Sequence, residues 1–142
     1  MFESILVVCE GNLCRSPVAA ALLRRDTGRQ VTSAGVAALA GRDMDPTARE
    51  VAADTGLICP PHRARQLDQE LCSRADLILV MEQRQREHIL HIAPESTGKT
   101  LLFGKWLDER EIPDPFRRSR EAYQQVHRIL AEASAAWAAR LR

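Results

Sequence analysis

The sequence predicts an α/β fold, a doubly wound parallel sheet of four strands with helices on both faces in three layers, and three observations carry that prediction. Hydrophobic runs alternate with helix-patterned segments along all 142 residues, with no repeat and no low-complexity tract. Leu77-Ile78-Leu79-Val80 is a continuous apolar run, as a parallel strand needs when both its faces are covered. A composition 45% hydrophobic and 27% charged supports one core, hence a single domain over residues 1–142.

Taken in order, Ser4 to Val8 is a β-branched first strand stopped by Gly11, and Pro17 to Arg25 is an Ala- and Leu-rich helix headed by Ser16. Gln30 to Ser33 makes a second strand ending at Gly35. Asp45-Pro46 opens a helix by the pairing of an N-cap with proline at the first turn, running to about Gly56. A short helix follows from Leu67 to Ser73, then the third strand at Leu77–Val80. A charged helix from Glu82 to Ile92 ends before Pro94, and Thr100 to Phe103 is the fourth strand. Ser119 to Leu141 places Ala122, Val126, Ile129, Leu130, Ala133 and Trp137 on one helical face. In such a sheet, ligands bind beyond the carboxyl ends of the strands.

A formal net charge of +1 argues against a nucleic-acid partner. No run of about 18 apolar residues is present, and Met1-Phe2-Glu3-Ser4 has no basic leader character, so neither membrane insertion nor secretion is expected and the cytoplasm is the predicted location. Cys9, Cys14, Cys59 and Cys72 do not resemble a disulfide framework in a chain this long. Cys59-x2-His62 and His88-x2-His91 are only half-sites for a metal, and neither a metal nor any other cofactor is expected.

The chemistry concentrates in Cys9-Glu10-Gly11-Asn12-Leu13-Cys14-Arg15-Ser16-Pro17, between the first strand and the first helix. A proline-free loop entering a helix N-terminus can point successive N–H groups at one tetrahedral anion, and Gly11 is expected to supply the positive φ of the curl. Arg15 would grip the same anion with two parallel N–H bonds, and Cys9 would be the nucleophilic thiolate. Ser16 is expected to serve as helix N-cap and as donor to the Cys9 sulfur, with Asn12 bracing the loop. Cys59 to Arg65 repeats the Cys-x5-Arg spacing, but Pro60 and Pro61 remove the N–H groups a cradle needs. The plainer alternative makes Cys9 a small buried hydrophobe and Arg15 a solvated residue, and leaves the register of Gly, Asn, Arg, Ser and Pro unexplained. Thiolate attack on a phosphate monoester must expel an alkoxide or a phenolate, which calls for a general acid, and Asp114, aimed by Pro113 and Pro115 after the fourth strand, is the candidate.

These residues resemble the low-molecular-weight protein tyrosine phosphatases over nearly the whole chain. Val8 to Pro17 looks like their phosphate loop and Asp114-Pro115 like their acid dipeptide, while Ser33-Ala34-Gly35, Asp45-Pro46, His62 to Gln66 and Phe103-Gly104 stand where that family has similar residues. The resemblance implies a flavodoxin-like phosphatase fold and a phosphocysteine on Cys9. Arg15 and the loop would hold phosphate, and Asp114 would act first as acid and then as base. Glu10, Gly11, Asn12, Leu13, Cys14 and Ser16, with Leu39 and Phe116 as pocket walls, complete the expected substrate-binding set. Leu39 falls where eukaryotic relatives carry an aromatic, and Phe116 where many have tyrosine, so a hydroxyl's role is absent here. A cysteine placed as Cys14 is can form a reversible disulfide with the nucleophile in that family. The nearest likeness is to the bacterial group tied to exopolysaccharide export, which implies a phosphotyrosine protein, a tyrosine autokinase, as partner to a monomer or weak dimer. The alternatives are an arsenate reductase of the same fold, for which no further cysteine pair follows the third strand, and a phosphocarrier or phosphate-binding domain, for which Asp114 would be surplus.

Overall fold

The computed structural model describes residues 2–141. Four parallel strands, β1 (Ser4–Cys9), β2 (Gln30–Gly35), β3 (Leu77–Val80) and β4 (Thr100–Leu102), lie in the order β2-β1-β3-β4. Five α-helices connect and cover them: α1 (Arg15–Thr27), α2 (Pro46–Asp54), α3 (Gln69–Arg74), α4 (Gln83–Ile92) and α5 (Arg120–Arg140). The predicted architecture is therefore the observed one. The chain leaves β1 toward β2 on one side and toward β3 on the other, so the end of β1 is the point where strand order reverses and a crevice opens.

The period of two along the strands sorts side chains between two cores. Ile5, Val7, Leu77 and Leu79 face α1, α2 and α5, whereas Leu6, Val8, Ile78 and Val80 face Cys72 of α3 and Ile89 of α4. Helix α1 is buried from Arg15 to Leu23, and Ala19, Ala20 and Ala21 keep it slim enough to lie among the sheet, α2 and α5. Side-chain caps fix several starts: Asp45 accepts from the Ala48 amide, Asp68 from Leu71 and Ser119 from Ala122. Glu82 and Gln85 form a reciprocal capping box at α4. A 3-10 turn over Pro94–Lys99 was not anticipated from the sequence, nor was the burial of His127 and Ser134 on α5; Tyr123, read from the sequence as helix-face core, is buried as expected.

His127 joins α5 to the end of α2. The Thr55 hydroxyl donates to the Ala52 carbonyl at 2.7 Å, so the His127 Nε2–H must be the donor in its 3.1 Å bond to Thr55 Oγ1. Burial, and secondarily the charge of Arg25, push the imidazolium below its ordinary range. The unfolded chain thus takes up this proton at higher pH than the folded one. The associated stability is complete above the ordinary histidine value of about 6.5 and is lost as pH falls toward the depressed folded value. Between about pH 7.5 and 5, Tm should drop more steeply for the native chain than for His127→Gln in parallel melts; equal slopes would contradict the assignment.

Candidate active site

Strand β1 delivers Cys9 in register with Gly35, its last partner on β2. A Cβ at Gly35 would lie 2.5 Å from the Glu10 carbonyl oxygen, so only glycine lets β2 run this close to the loop. The loop then turns its carbonyls outward. Those of Cys9, Glu10, Gly11 and Leu13 accept from the amides of Val36, Ala37, Leu39 and Asp45 at 2.9–3.2 Å, and that of Asn12 accepts from His62 Nε2 at 2.7 Å. With the carbonyls spent on the surround, the amides of Gly11, Asn12, Leu13 and Cys14 have no protein acceptor among the described residues. They are free donors at the entry of a helix, the arrangement that binds tetrahedral anions.

Two expectations require correction. Gly11 does not have positive φ; Asn12 does, at 60°. Asparagine tolerates that region, and here its side chain is tied on both sides: Nδ2 donates to Ser16 Oγ (2.8 Å) and Ser33 Oγ (3.0 Å), while Oδ1 accepts from the Arg65 amide (3.0 Å). Nor is Ser16 the N-cap. Cys14 occupies that position without a side-chain cap bond, and Ser16 lies inside the first turn. Its hydroxyl accepts from Asn12, which leaves its proton for the Cys9 sulfur 2.9 Å away.

Arg15 is 1% exposed. Its Nη1 donates to the Ile112 carbonyl at 2.7 Å and to Glu82 Oε1 at 2.8 Å. Its Nη2 has no hydrogen-bond partner among the described residues, and the Asp114 Oδ2 atom stands 3.6 Å from it. Asp114, 40% exposed, accepts from the Phe116 amide through Oδ1 at 3.1 Å. Cys9, Glu10, Gly11, Leu13, Cys14, Arg15, Leu39, Asp114 and Phe116 line one cavity of about 190 Å³, together with Ala37. Asn12 and Ser16 brace the loop instead of lining the cavity. The second Cys-x5-Arg match does no such thing: Cys59 is a buried thiol away from this cavity, and Arg65 Nε donates to the Ser33 carbonyl.

Sequence reading missed Glu82. Burial would raise its carboxyl, yet hydrogen bonds from Arg15 and Arg84 hold it below the usual range, so it stays ionised against the buried guanidinium. The one available hint was its place directly beyond β3, on the sheet edge that holds Cys9. Replacing Glu82 with Gln keeps the shape and removes the charge that fixes Arg15. Such a change should cost about ten- to hundredfold in kcat/KM for an aryl phosphate, with unchanged kinetics sinking the role. At Cys14, burial and then the nearby Asp45 carboxylate push the thiol well up, so it remains protonated beside the loop. His62 is likewise a loop support, and among the described residues no group of three His, Cys, Asp or Glu side chains converges on a metal site.

Comparison with known proteins places these features in a family context. A family model described as low molecular weight phosphotyrosine protein phosphatase matches residues 4–142. The low molecular weight protein-tyrosine-phosphatase Wzb of Escherichia coli K12 is 50% identical over 139 residues, covering 97% of this chain and 95% of the relative. The crystal structure of tyrosine phosphatase Wzb from Escherichia coli K30 with sulphate superposes with a TM-score of 0.98 at 48% identity, covering all of both chains. Vibrio vulnificus Wzb in complex with benzylphosphonate gives a TM-score of 0.96 at 43% identity over 99% of each.

Proposed function

The chain belongs to the low molecular weight phosphotyrosine protein phosphatases, and from that premise we propose how its own residues hydrolyse protein phosphotyrosine through a phosphocysteine. The Cys9 thiolate attacks phosphorus, forming the S–P bond as the ester P–O bond breaks. Asp114, as the carboxylic acid, gives its proton to the departing tyrosine oxygen. Asp114, now a carboxylate, then takes a proton from water as that water attacks phosphorus; the S–P bond breaks, releasing inorganic phosphate and regenerating the thiolate.

The unpartnered Nη2 of Arg15 beside Cys9 is the observation that supports this reading most. A guanidinium buried to 1% exposure with one edge spent on Glu82 and Ile112 keeps its other edge for an oxyanion, and the loop amides supply further donors as charge builds on the equatorial oxygens. Ser16, fed by Asn12, donates to the thiolate and steadies it as attacking and as leaving group. Leu39 and Phe116 offer apolar walls to an aryl ring, consistent with the benzylphosphonate held by the Vibrio relative.

The protein partner fitting the likeness to the Wzb phosphatases is a tyrosine autokinase of exopolysaccharide export. No helix among the described residues is long and apolar enough to cross a membrane. Side-by-side assay of a phosphotyrosine peptide, a phosphoserine peptide and arsenate without added metal tests the function. Turnover of phosphotyrosine alone is expected; arsenate reduction without phosphatase activity would overturn it.

A further inference from the structure

Beside the cavity stand arginines that no carboxylate answers among the described residues. Asp114 and Phe116 form part of its lining, and the next residues, Arg117 and Arg118, are both exposed. The Arg117 guanidinium stands over the Phe116 ring, 5.2 Å from its centroid. The backbone keeps it there in a conformation that few non-glycine residues adopt: Arg117 has φ 62°, its amide donating to the Tyr123 hydroxyl at 3.3 Å. The loop that supplies Leu39 turns through Arg42, also exposed, whose amide donates to the Leu39 carbonyl.

None of these three guanidiniums makes an ion pair among the described residues, whereas several charges around them are paired with one another. Glu10 pairs with Arg84 at 3.2 Å, Arg84 and Arg15 share Glu82, and Arg120 pairs with Glu50 and Asp54. Asp43 is taken by Arg49. On a chain of formal net charge +1, unpaired cations on the two loops that wall the cavity are a local feature.

We propose that this cationic rim reads carboxylates flanking the phosphotyrosine, so that the preferred protein substrates carry Asp or Glu beside the phosphorylated residue; the proposal rests on the phosphotyrosine reading above. With the phosphate at Arg15 and the ring between apolar walls, the polypeptide has to pass over the loops bearing Arg42, Arg117 and Arg118. Planar guanidinium forks match carboxylates there, and each exposed pair contributes a factor of about two to five. The same rim draws acidic segments in faster at low salt.

The test compares kcat/KM for phosphotyrosine peptides that differ only in carrying Glu, Gln or Lys on both sides, with p-nitrophenyl phosphate as a reference that has no flanks. The Glu peptide should exceed the Gln peptide by about fivefold, the Lys peptide should fall below both, and the spread should narrow as salt rises. In an Arg117→Asn/Arg118→Gln double variant, whose Asn tolerates the left-handed backbone, the Glu-to-Gln ratio should fall below about twofold. Arg118→Glu alone, at a position without that backbone demand, should shift preference toward Lys and covers a misfolded double variant. Equal rates on Glu and Gln peptides overturn the proposal, and so does a preference that the variants leave intact. Failure to hydrolyse p-nitrophenyl phosphate as well as every peptide would instead strike the phosphatase reading, and this proposal with it.

Discussion

Cys9→Ser is expected to lose kcat toward an aryl phosphate by on the order of 10³-fold or more while the protein stays folded and still binds inorganic phosphate. The two halves of that expectation come from different atoms. Turnover needs a thiolate, and a serine hydroxyl at the end of β1 is a far weaker nucleophile whose recorded side-chain partner, the Ser16 hydroxyl, already accepts from Asn12 and offers only its proton. Phosphate binding draws on the Gly11 to Cys14 amides and on Arg15 Nη2, none of which the substitution touches. Initial rates with p-nitrophenyl phosphate and the phosphate-induced rise in Tm separate the two. Substantial retained turnover would remove Cys9 as the nucleophile.

Asp114→Asn should be nearly as damaging, but selectively. A phenolate with a conjugate-acid pKa near 10 departs slowly without a proton, so phenyl phosphate should lose about 10²-fold or more. An ester of an acidic nitrophenol, whose anion leaves unaided, should lose far less. The structure makes this a clean substitution: an asparagine oxygen can still accept from the Phe116 amide, and Pro113 and Pro115 fix the backbone whatever the side chain. Rates across phenols of graded acidity give the answer as a steeper leaving-group dependence. A uniform loss would mean that Asp114 acts on binding and that the proton comes from elsewhere.

The sequence made the scaffold legible because its signals were local. The apolar run Leu77–Val80 matches β3 end to end, and Asp45-Pro46 and Ser119 mark helix starts with side chains that do cap them. The nine cavity residues anticipated from the loop, the acid segment and the family likeness meet in one place because parallel strands bring their carboxyl ends to one edge. The misses were tertiary. The Arg15 to Glu82 pair spans 67 positions and has no periodic trace. Assigning the turn to Gly11 followed from composition, whereas Asn12 takes the left-handed conformation since Ser16, Ser33 and the Arg65 amide, from three separate segments, satisfy its side chain. Ser16 was drawn toward the cap by its residue type, but its hydroxyl is claimed by Asn12 and Cys9.

The nucleophile and the acid also differ in what would have to melt to disable each. Cys9, its loop and Arg15 are stitched to the central strand, to the segment after β2 and to Glu82, so detaching them means breaking bonds to the core of the sheet. Asp114 rides on an exposed connection whose side chain is held by one amide and a neighbouring charge, and it can detach in a local opening of much lower free energy. Amide exchange should therefore divide the site in two, slow along the hydrogen-bonded strand β1 behind the sulfur and fast around the proton donor. A population of molecules that keeps the phosphate cradle but lacks its proton donor, and so both forms and discharges the phosphoenzyme slowly, then accompanies the native state at every temperature below the melt.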